Sequence, residues 1–404
     1  MVKRYIQVFI GLLLLTLPFL FLRYYPQHLN SWLVTNITWF PYLVLVIAGI
    51  ISMVFYNSRE FCISLVLLVY YFLLDQYLWP TGLSNEDKVG LLNLCGVLIP
   101  INFILFNILP ERGLFNRQGL KLLSLLTGQL ILILILFKAD LTPLRQLFYS
   151  HVGIKWSSHP EFGSVMLLLN ASALLFLLVR TWTQSGVLAN AWLFCFGAVL
   201  ISMMLVLNLL FTIVYLVLSG VILIGGILLH AYNLAYRDEL TQLPSRRSLK
   251  QYLMAQGKNL AIAMVDVDHF KKLNDTYGHD TGDDVLKMLA GNLQAVSGGG
   301  RAFRYGGEEF TVVFPGKTAE QAMEYLEELR QRIETSKFII RPKRRNNSQK
   351  AKKSAGNSRE LTITVSIGVS DQGKDSRSTP EIMKLADKAL YQAKQQGRNQ
   401  VKCI

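Results

Sequence analysis

Residues 186–229 form 44 consecutive positions without a charged side chain. One helix of that length would span roughly twice the ~30 Å hydrocarbon core of a bilayer. The run is therefore expected to form two membrane-crossing helices hinged near Asn208. No other feature restricts the fold as much, because so long an apolar run has no place in a domain bathed in water. Similar stretches precede it. Residues 5–22, 37–57, 89–109 and 163–179 carry no charge, 61–79 carries only Asp75, and 119–137 only Lys121. Together they predict an all-α polytopic membrane region over 1–229 with eight transmembrane helices.

Loop charge agrees with that count. With Lys3 and Arg4 inside, the inner loops would carry Arg59, then Arg112, Arg117 and Lys121, then Arg180, and finally Arg237, Arg246 and Arg247. The 80–88 loop, placed outside, sets Glu86 and Asp87 against Lys88. This is the positive-inside pattern. Seven spans would reverse the parity and put the C-terminal half outside. No small-residue cleavage site follows the first apolar stretch, so it reads as a retained anchor. Cys62, Cys95 and Cys195 fall in predicted spans and Cys403 is the last residue but one. Their spacing suggests neither disulfides nor a metal site.

From about residue 237 the chain is charged and long enough to bury one core. Ala261–Val265 and Leu361–Val369 read as strands, and Thr281–Val296, Ala319–Thr335 and Pro380–Gln395 as helices. That alternation predicts an α/β or α+β domain over 238–404. Helix eight is expected to continue through 230–237 as a stalk.

Two constellations carry chemistry. The first is Phe303-Arg-Tyr-Gly-Gly-Glu-Glu-Phe-Thr-Val-Val-Phe314, two short alternating runs around a turn, the pattern of a β-hairpin. Gly306 and Gly307 are expected at positive φ, with room for a phosphate beside them. Glu308 and Glu309 put negative charge on the turn, where a hard cation could sit. The second begins at Asp266, at the C-terminal edge of an apolar strand, a usual place for ligands. Asp266 and Asp268 should share one strand face. Asp266 and Glu308 supply two carboxylates suited to magnesium, and Lys271 a cation for phosphate. Asn274 and Asp283 suit the edge of a purine. An EF-hand would need glycine and glutamate at its sixth and twelfth positions, which here are Lys271 and Tyr277, so that reading fails.

Four motifs in order, Asp238-x-Leu-Thr-x-Leu-Pro244, the Asp266–Asp283 stretch, Gly306-Gly-Glu-Glu-Phe310, and the run from Ala386 through Lys394 and Arg398 to Asn399, closely resemble the GGDEF-domain diguanylate cyclases. The likeness covers about 237–404; the first 230 residues name no sensor family. The resemblance implies a palm-like fold, a partly antiparallel central sheet flanked by helices. It also implies condensation of two GTP to cyclic di-GMP and two pyrophosphates across an antiparallel homodimer. It further implies two magnesium ions per GTP, or manganese, held by Asp266, the Val267 carbonyl and Glu308. Glu308 is then the general base, Glu309 shapes the turn, and Lys271 stabilises the transition state. Asn274 and Asp283 read guanine with His279 nearby, Gly307 leaves space for substrate, and Lys394 and Arg398, four apart on the last helix, clamp the phosphates. Relatives that make mixed adenine–guanine products carry a smaller residue at the Asp283 position, so GTP is the expected substrate.

The chain departs from the family in two places. Ser297 and Gly300 replace the Arg and Asp of the family's product-inhibition site, so none is expected. Residues 337–359 insert nine Lys or Arg and no acid, expected to be a solvated loop with anionic lipid as its alternative partner. It lacks aromatics for stacking, so no nucleic-acid partner is expected. The insertion and the inner loops account for the net charge of +14.

The reading is a diguanylate cyclase in the bacterial inner membrane, with its N-terminus and catalytic half cytoplasmic. The alternatives are a silent GGDEF receptor or scaffold and a transporter with a nucleotide-sensing tail. In the outer loops, His28, His151, Trp156, His159 and Glu161 offer only scattered metal donors, which rarely make a site. If paired eighth helices set how two half-sites meet, a long flexible spacer inserted after Leu229 should uncouple cyclase activity from the membrane half. Regulation unchanged by the spacer, in membranes carrying the variant, would refute this.

Overall fold

The computed structural model describes residues 2–24, 37–80, 84–111, 113–138, 164–184, 186–257, 259–340, 359–373 and 378–404. His28, Arg112, His151, Trp156, His159, Glu161 and most of the basic insertion lie outside the described residues. The chain divides into two compact units, Met1–Ala231 and Tyr232–Ile404.

The N-terminal unit is helical: α1 (Val2–Tyr24), α2 (Phe40–Val54), α3 (Ser58–Leu73), α4 (Asn85–Ile108), α5 (Arg117–Lys138), α6 (Ser164–Thr183), α7 (Val187–Met204) and α8 (Leu209–Tyr236). Among the described residues six helices are long and apolar enough to cross a bilayer: Ile37–Val54, Ser58–Leu78, Asp87–Ile108, Val165–Thr183, Val187–Met204 and Leu209–Tyr236. The expected count of eight is thus met for six. The 5–22 stretch contributes a shorter apolar helix, Phe9–Tyr24, and 119–137 lies within α5, whose early turns carry Arg117 and Lys121. The 186–229 run does break into two helices. Asn208 lies at the break and its side chain accepts the Phe211 N–H at 3.3 Å, capping α8.

Tyr70, Tyr71, Phe103, Phe106 and Phe196 are fully enclosed in this bundle, while Leu43, Ile50, Leu168 and Leu175 are exposed. Apolar residues facing both inward and outward are compatible with a membrane protein. Two acids stand out. Glu60, in the first turn of α3, is buried and accepts the Trp192 Nε1–H at 2.9 Å. Asp75 lies on a π-helical turn, Leu74–Leu78, and accepts the Tyr42 hydroxyl at 3.0 Å.

In the C-terminal unit the helices are α9 (Arg246–Ala255), α10 (Phe270–Tyr277), α11 (His279–Gln294), α12 (Ala319–Thr335) and α13 (Thr379–Gln395). The strands are β1 (Leu260–Val267), β2 (Arg301–Arg304), β3 (Glu309–Pro315), β4 (Phe338–Ile340), β5 (Arg359–Leu361), β6 (Val365–Asp371) and β7 (Val401–Cys403). The main sheet runs β2-β3-β1-β6-β7. Its pairs are antiparallel except β6 with β7, and β4 with β5 form a separate ribbon. This is the expected palm-like α/β arrangement. The single strand expected at Leu361–Val369 is instead split between β5 and β6. The intervening Thr364 accepts the Asp268 N–H on its carbonyl at 3.0 Å and donates its hydroxyl to Asp268 Oδ2 at 2.9 Å, while β5 pairs with β4 and β6 with β1, so the chain passes from one sheet to the other between them.

β1 is buried at every position because it is central and covered on both faces. Ala261, Ala263, Val265 and Val267 pack with Leu286, Leu289, Leu326 and Leu329 of α11 and α12. Ile262 packs with Leu249, Leu253 and Ile382, and Met264 with Ala386 and Leu390. Each large side chain in such a core contributes about 1.5–3 kcal/mol. By alternation Asp266 emerges on the α13 face. That helix lies very close to the sheet, through Ala386, Ala389 and Ala393. A Cβ built on Gly368 would sit 2.0 Å from the Leu390 N and 2.3 Å from the Ala386 carbonyl. These are backbone atoms and cannot swing aside. Gly368→Ala is expected to destabilise the C-terminal unit by about 1–3 kcal/mol, seen as a lower thermal midpoint in purified protein.

Candidate active site

The end of β1 brings the acidic groups together. Asp266 pairs in register with Glu309 on one side and Ser366 on the other. It is buried, and its Oδ1 accepts Lys394 Nζ of α13 at 2.8 Å. Burial pushes the Asp266 carboxyl above the usual aspartate range; Lys394 opposes this and Asp268 reinforces it. Burial, then the nearby Asp266 charge, likewise push Glu308 above the glutamate range, with Lys394 opposing and Glu309 adding. Burial is the main cause in both, the neighbouring carboxyls add to it, and Lys394 opposes it.

The hairpin differs from expectation in one respect. Gly306 and Gly307 are not among the glycines at positive φ; only at Gly306 is space tight. A Cβ on Gly306 would meet Glu309 Oε2 at 3.0 Å, whereas one on Gly307 would face open space. Arg304 fixes the backbone in place of left-handed turn geometry. Its Nε donates to the Gly306 carbonyl at 3.2 Å and its Nη2 to the Gly307 carbonyl at 2.8 Å. Its Nη1 donates to Asp238 Oδ1 at 2.6 Å. Asp238 also accepts the Thr241 N–H and hydroxyl at 2.8 and 2.7 Å. Burial alone would raise the Asp238 carboxyl, but these bonds from Thr241 and Arg304 outweigh it and hold it below the usual range. Sequence reasoning named the two motifs but missed this tie between residues 66 positions apart. The lone cation in the alternating run 303–314 was the available signal.

Lys271 is exposed on α10, as are His279 and Asp283 on α11. Gly278, at φ +86°, lets the two helices meet at a sharp turn. Asn274 packs against Gly282, where a Cβ would lie 1.9 Å from the Asn274 Oδ1. That oxygen is buried with no hydrogen-bond partner. An orphaned buried acceptor is costly unless a ligand donates to it.

Lys394 lies on α13 as expected, but Arg398 does not. The helix ends at Gln395 and Arg398 follows in left-handed backbone, φ +65°, so the two are not one helical turn apart on a face. Arg398 is nonetheless near enough to Asp266 to favour its ionised form. Asp268 shares the β1 end with Asp266 but is filled by Ser366 and Thr364 hydroxyls and the Asn399 N–H at 2.7, 2.9 and 3.0 Å. In the position expected to lack a product-inhibition charge, a Cβ on Gly300 would meet the Phe314 ring at 2.7 Å, and Ser297 donates to Glu328.

Among the described residues no group of three or more His, Cys, Asp or Glu could hold a metal. Asp266 and Glu308 nonetheless fit magnesium. It commonly takes one or two carboxylates and completes its shell with water and substrate phosphate, and a bound cation would offset the cost of burying both carboxyls here. Residues 235–400 match the family described as diguanylate cyclase, GGDEF domain. The chain is 35% identical over 183 residues to the response regulator PleD of Caulobacter vibrioides, covering 43% of this chain and 37% of that one. It is 39% identical over 145 residues to diguanylate cyclase A of Treponema denticola, covering 36% and 35%. It thus spans little more than a third of either curated relative. A solved coiled coil and GGDEF domain of DgcB from Caulobacter crescentus, in complex with c-di-GMP, is 31% identical, with 44% and 90% coverage and a TM-score of 0.38.

Two outcomes follow from the geometry. Arg304→Ala is expected to cost about 2 kcal/mol of stability through its lost charge-assisted bonds, read by thermal unfolding, and to loosen the turn. Glu308 binds its proton more tightly folded than unfolded, so its contribution to stability falls as pH rises from the ordinary glutamate range through its raised value. In chelator, Glu308→Gln should therefore flatten the decline in melting midpoint between mildly acidic and neutral pH.

Proposed function

The C-terminal unit of this chain is a GGDEF domain, and on that premise we propose that the protein is a membrane-bound diguanylate cyclase condensing two GTP into cyclic di-GMP. The observation that carries this is the convergence of Asp266, Glu308 and Lys394 beside an open glycine turn, with the orphaned Asn274 Oδ1 close to Asp283 in sequence.

Each domain binds one GTP and a second copy presents the other. The 3′-hydroxyl of one nucleotide attacks the α-phosphorus of its partner, a P–O bond forms, pyrophosphate leaves, and the reaction repeats in the opposite sense. Positioning and charge neutralisation dominate such a transfer. Glu308 accepts the hydroxyl proton, a role that its raised proton affinity suits. Asn274 Oδ1 accepts from the guanine edge and Asp283 from its N–H groups, with His279 alongside. Gly307, lacking a side chain, admits the nucleotide. Lys271 and Arg398 face phosphate oxygens. Lys394, paired with Asp266 in this structure, would be free to meet a phosphate oxygen where a cation held that carboxylate. Magnesium, held by Asp266, the Val267 carbonyl and Glu308, supplies charge neutralisation when bound, and Glu309 shapes the turn.

We read α1 and α5 as the remaining two spans, which puts Arg59 and the later basic loops on the inner side as loop charge requires and sets the C-terminal unit in the cytoplasm beneath an inner membrane. Residues 230–237 then form the stalk, and the membrane half carries a regulatory signal. Ser297 and Gly300 leave the enzyme without the primary product-inhibition site.

The test is incubation of the purified full chain in detergent with GTP and magnesium, followed by chromatography. Cyclic di-GMP from the native protein and none from Glu308→Ala is the expected result. Equal traces from both, with GTP still bound, would overturn it.

A further inference from the structure

Three consecutive residues after α13 have positive backbone φ: Gly397 at +113°, Arg398 at +65° and Asn399 at +43°. Side-chain-bearing residues hold such values only where their surroundings over-determine them. Here the constraint centres on Asn399. Its N–H donates to Asp268 Oδ2 at 3.0 Å, its Nδ2 to Glu334 Oε1 at 2.8 Å, and its Oδ1 accepts Arg330 Nη1 at 2.7 Å. Arg330 is itself held by Glu327 and Glu334 of α12 and is 9% exposed. On either side, the Arg398 N–H donates to the Ala393 carbonyl at 3.0 Å and Gln400 Nε2 to the same oxygen at 2.9 Å. Asp268, two residues beyond Asp266, also takes the Thr364 and Ser366 hydroxyls.

The geometry assigns Asp268, Asn399 and Arg330 to holding Arg398 where its guanidinium meets the nucleotide triphosphate; they are positioning residues, and Asp268 is not a metal ligand. Two features separate this from mere helix capping. The side-chain clamp falls on the residue adjacent to Arg398 rather than on α13 itself. A buried arginine with two carboxylates is also more than a helix end needs, because backbone bonds already close it. A preset Arg398 meets substrate without losing the freedom that a mobile side chain would give up on binding.

The inference rests on the cyclase reading, and a double-mutant cycle on the full chain in detergent tests it separately. Asn399→Gly keeps the favoured backbone and the N–H to Asp268 but removes the links to Arg330 and Glu334. It is expected to raise KM for GTP about tenfold, the size of one lost charge-assisted bond, with kcat nearly unchanged. In an Arg398→Ala background the same substitution should change KM little further. Asp268→Asn should behave likewise and leave the magnesium dependence alone. Equal effects of Asn399→Gly in both backgrounds, or a lower melting midpoint with KM unmoved, would overturn the assignment. So would an Asp268→Asn enzyme that chiefly loses kcat and needs more magnesium. If the native protein forms no cyclic dinucleotide, the cyclase reading fails, and the same cycle is then scored on affinity for a non-hydrolysable GTP analogue. Failure of the native protein to bind that analogue would overturn both.

Discussion

The ion pair between Lys394 and Asp266 joins the two parts of the C-terminal unit that its chemistry needs together. One partner stands at the end of the most buried strand, the other near the end of the last helix. Neither could be placed without the close packing of α13 on β6, where Gly368 lets backbone meet backbone. Burial, and after it the repulsion between neighbouring carboxyls, raises the proton affinities of Asp266 and Glu308. Lys394 offsets only part of that cost. Carboxylates held this way work against stability and favour uptake of a cation. Stability is given up where function requires it.

Around that pair the unit is braced at two further points. Arg304 binds both glycine carbonyls of the hairpin and Asp238, so the turn bearing Glu308 is tied to residues that directly follow α8. Asn399 ties the Arg398 segment to β1 through Asp268 and to α12 through Arg330. Each brace uses charge-assisted hydrogen bonds at partly buried positions, where they are stronger and hold direction better than at an open surface. The groups proposed to meet substrate are thus set by neighbours outside the proposed reaction.

Much of the fold was legible in advance for reasons specific to each element. Ala319–Thr335 was bounded correctly because Thr318 and Gln321 form a capping box at its start. The 186–229 run had to break, since no single helix of that length fits a bilayer. Where reading failed, a non-local contact had intervened. Leu361–Val369 looked like one strand, but β5 pairs with β4 and β6 with β1, so the two halves join different sheets. Gly306 and Gly307 suggested left-handed turn residues, whereas Arg304 holds the turn through both carbonyls and Glu309 crowds Gly306 alone. Arg398 fits a helical spacing from Lys394, yet Asn399 is drawn toward Asp268 and Arg330 and the helix stops short.

The sequence by itself determined the division into an apolar helical half and a charged α/β half. It also singled out the acidic, amide and basic residues of the candidate site, because hydrophobic period and motif spacing are local properties of a chain. Only the tertiary structure decided which of two neighbouring aspartates faces the site and which is spent on holding a loop. Asp266 and Asp268 have the same chemistry and share a strand face. They differ in what the fold sets opposite them: Lys394 for one, Ser366, Thr364 and Asn399 for the other. Those partners come from about 100 to more than 130 positions along the chain, and no local pattern carries that information.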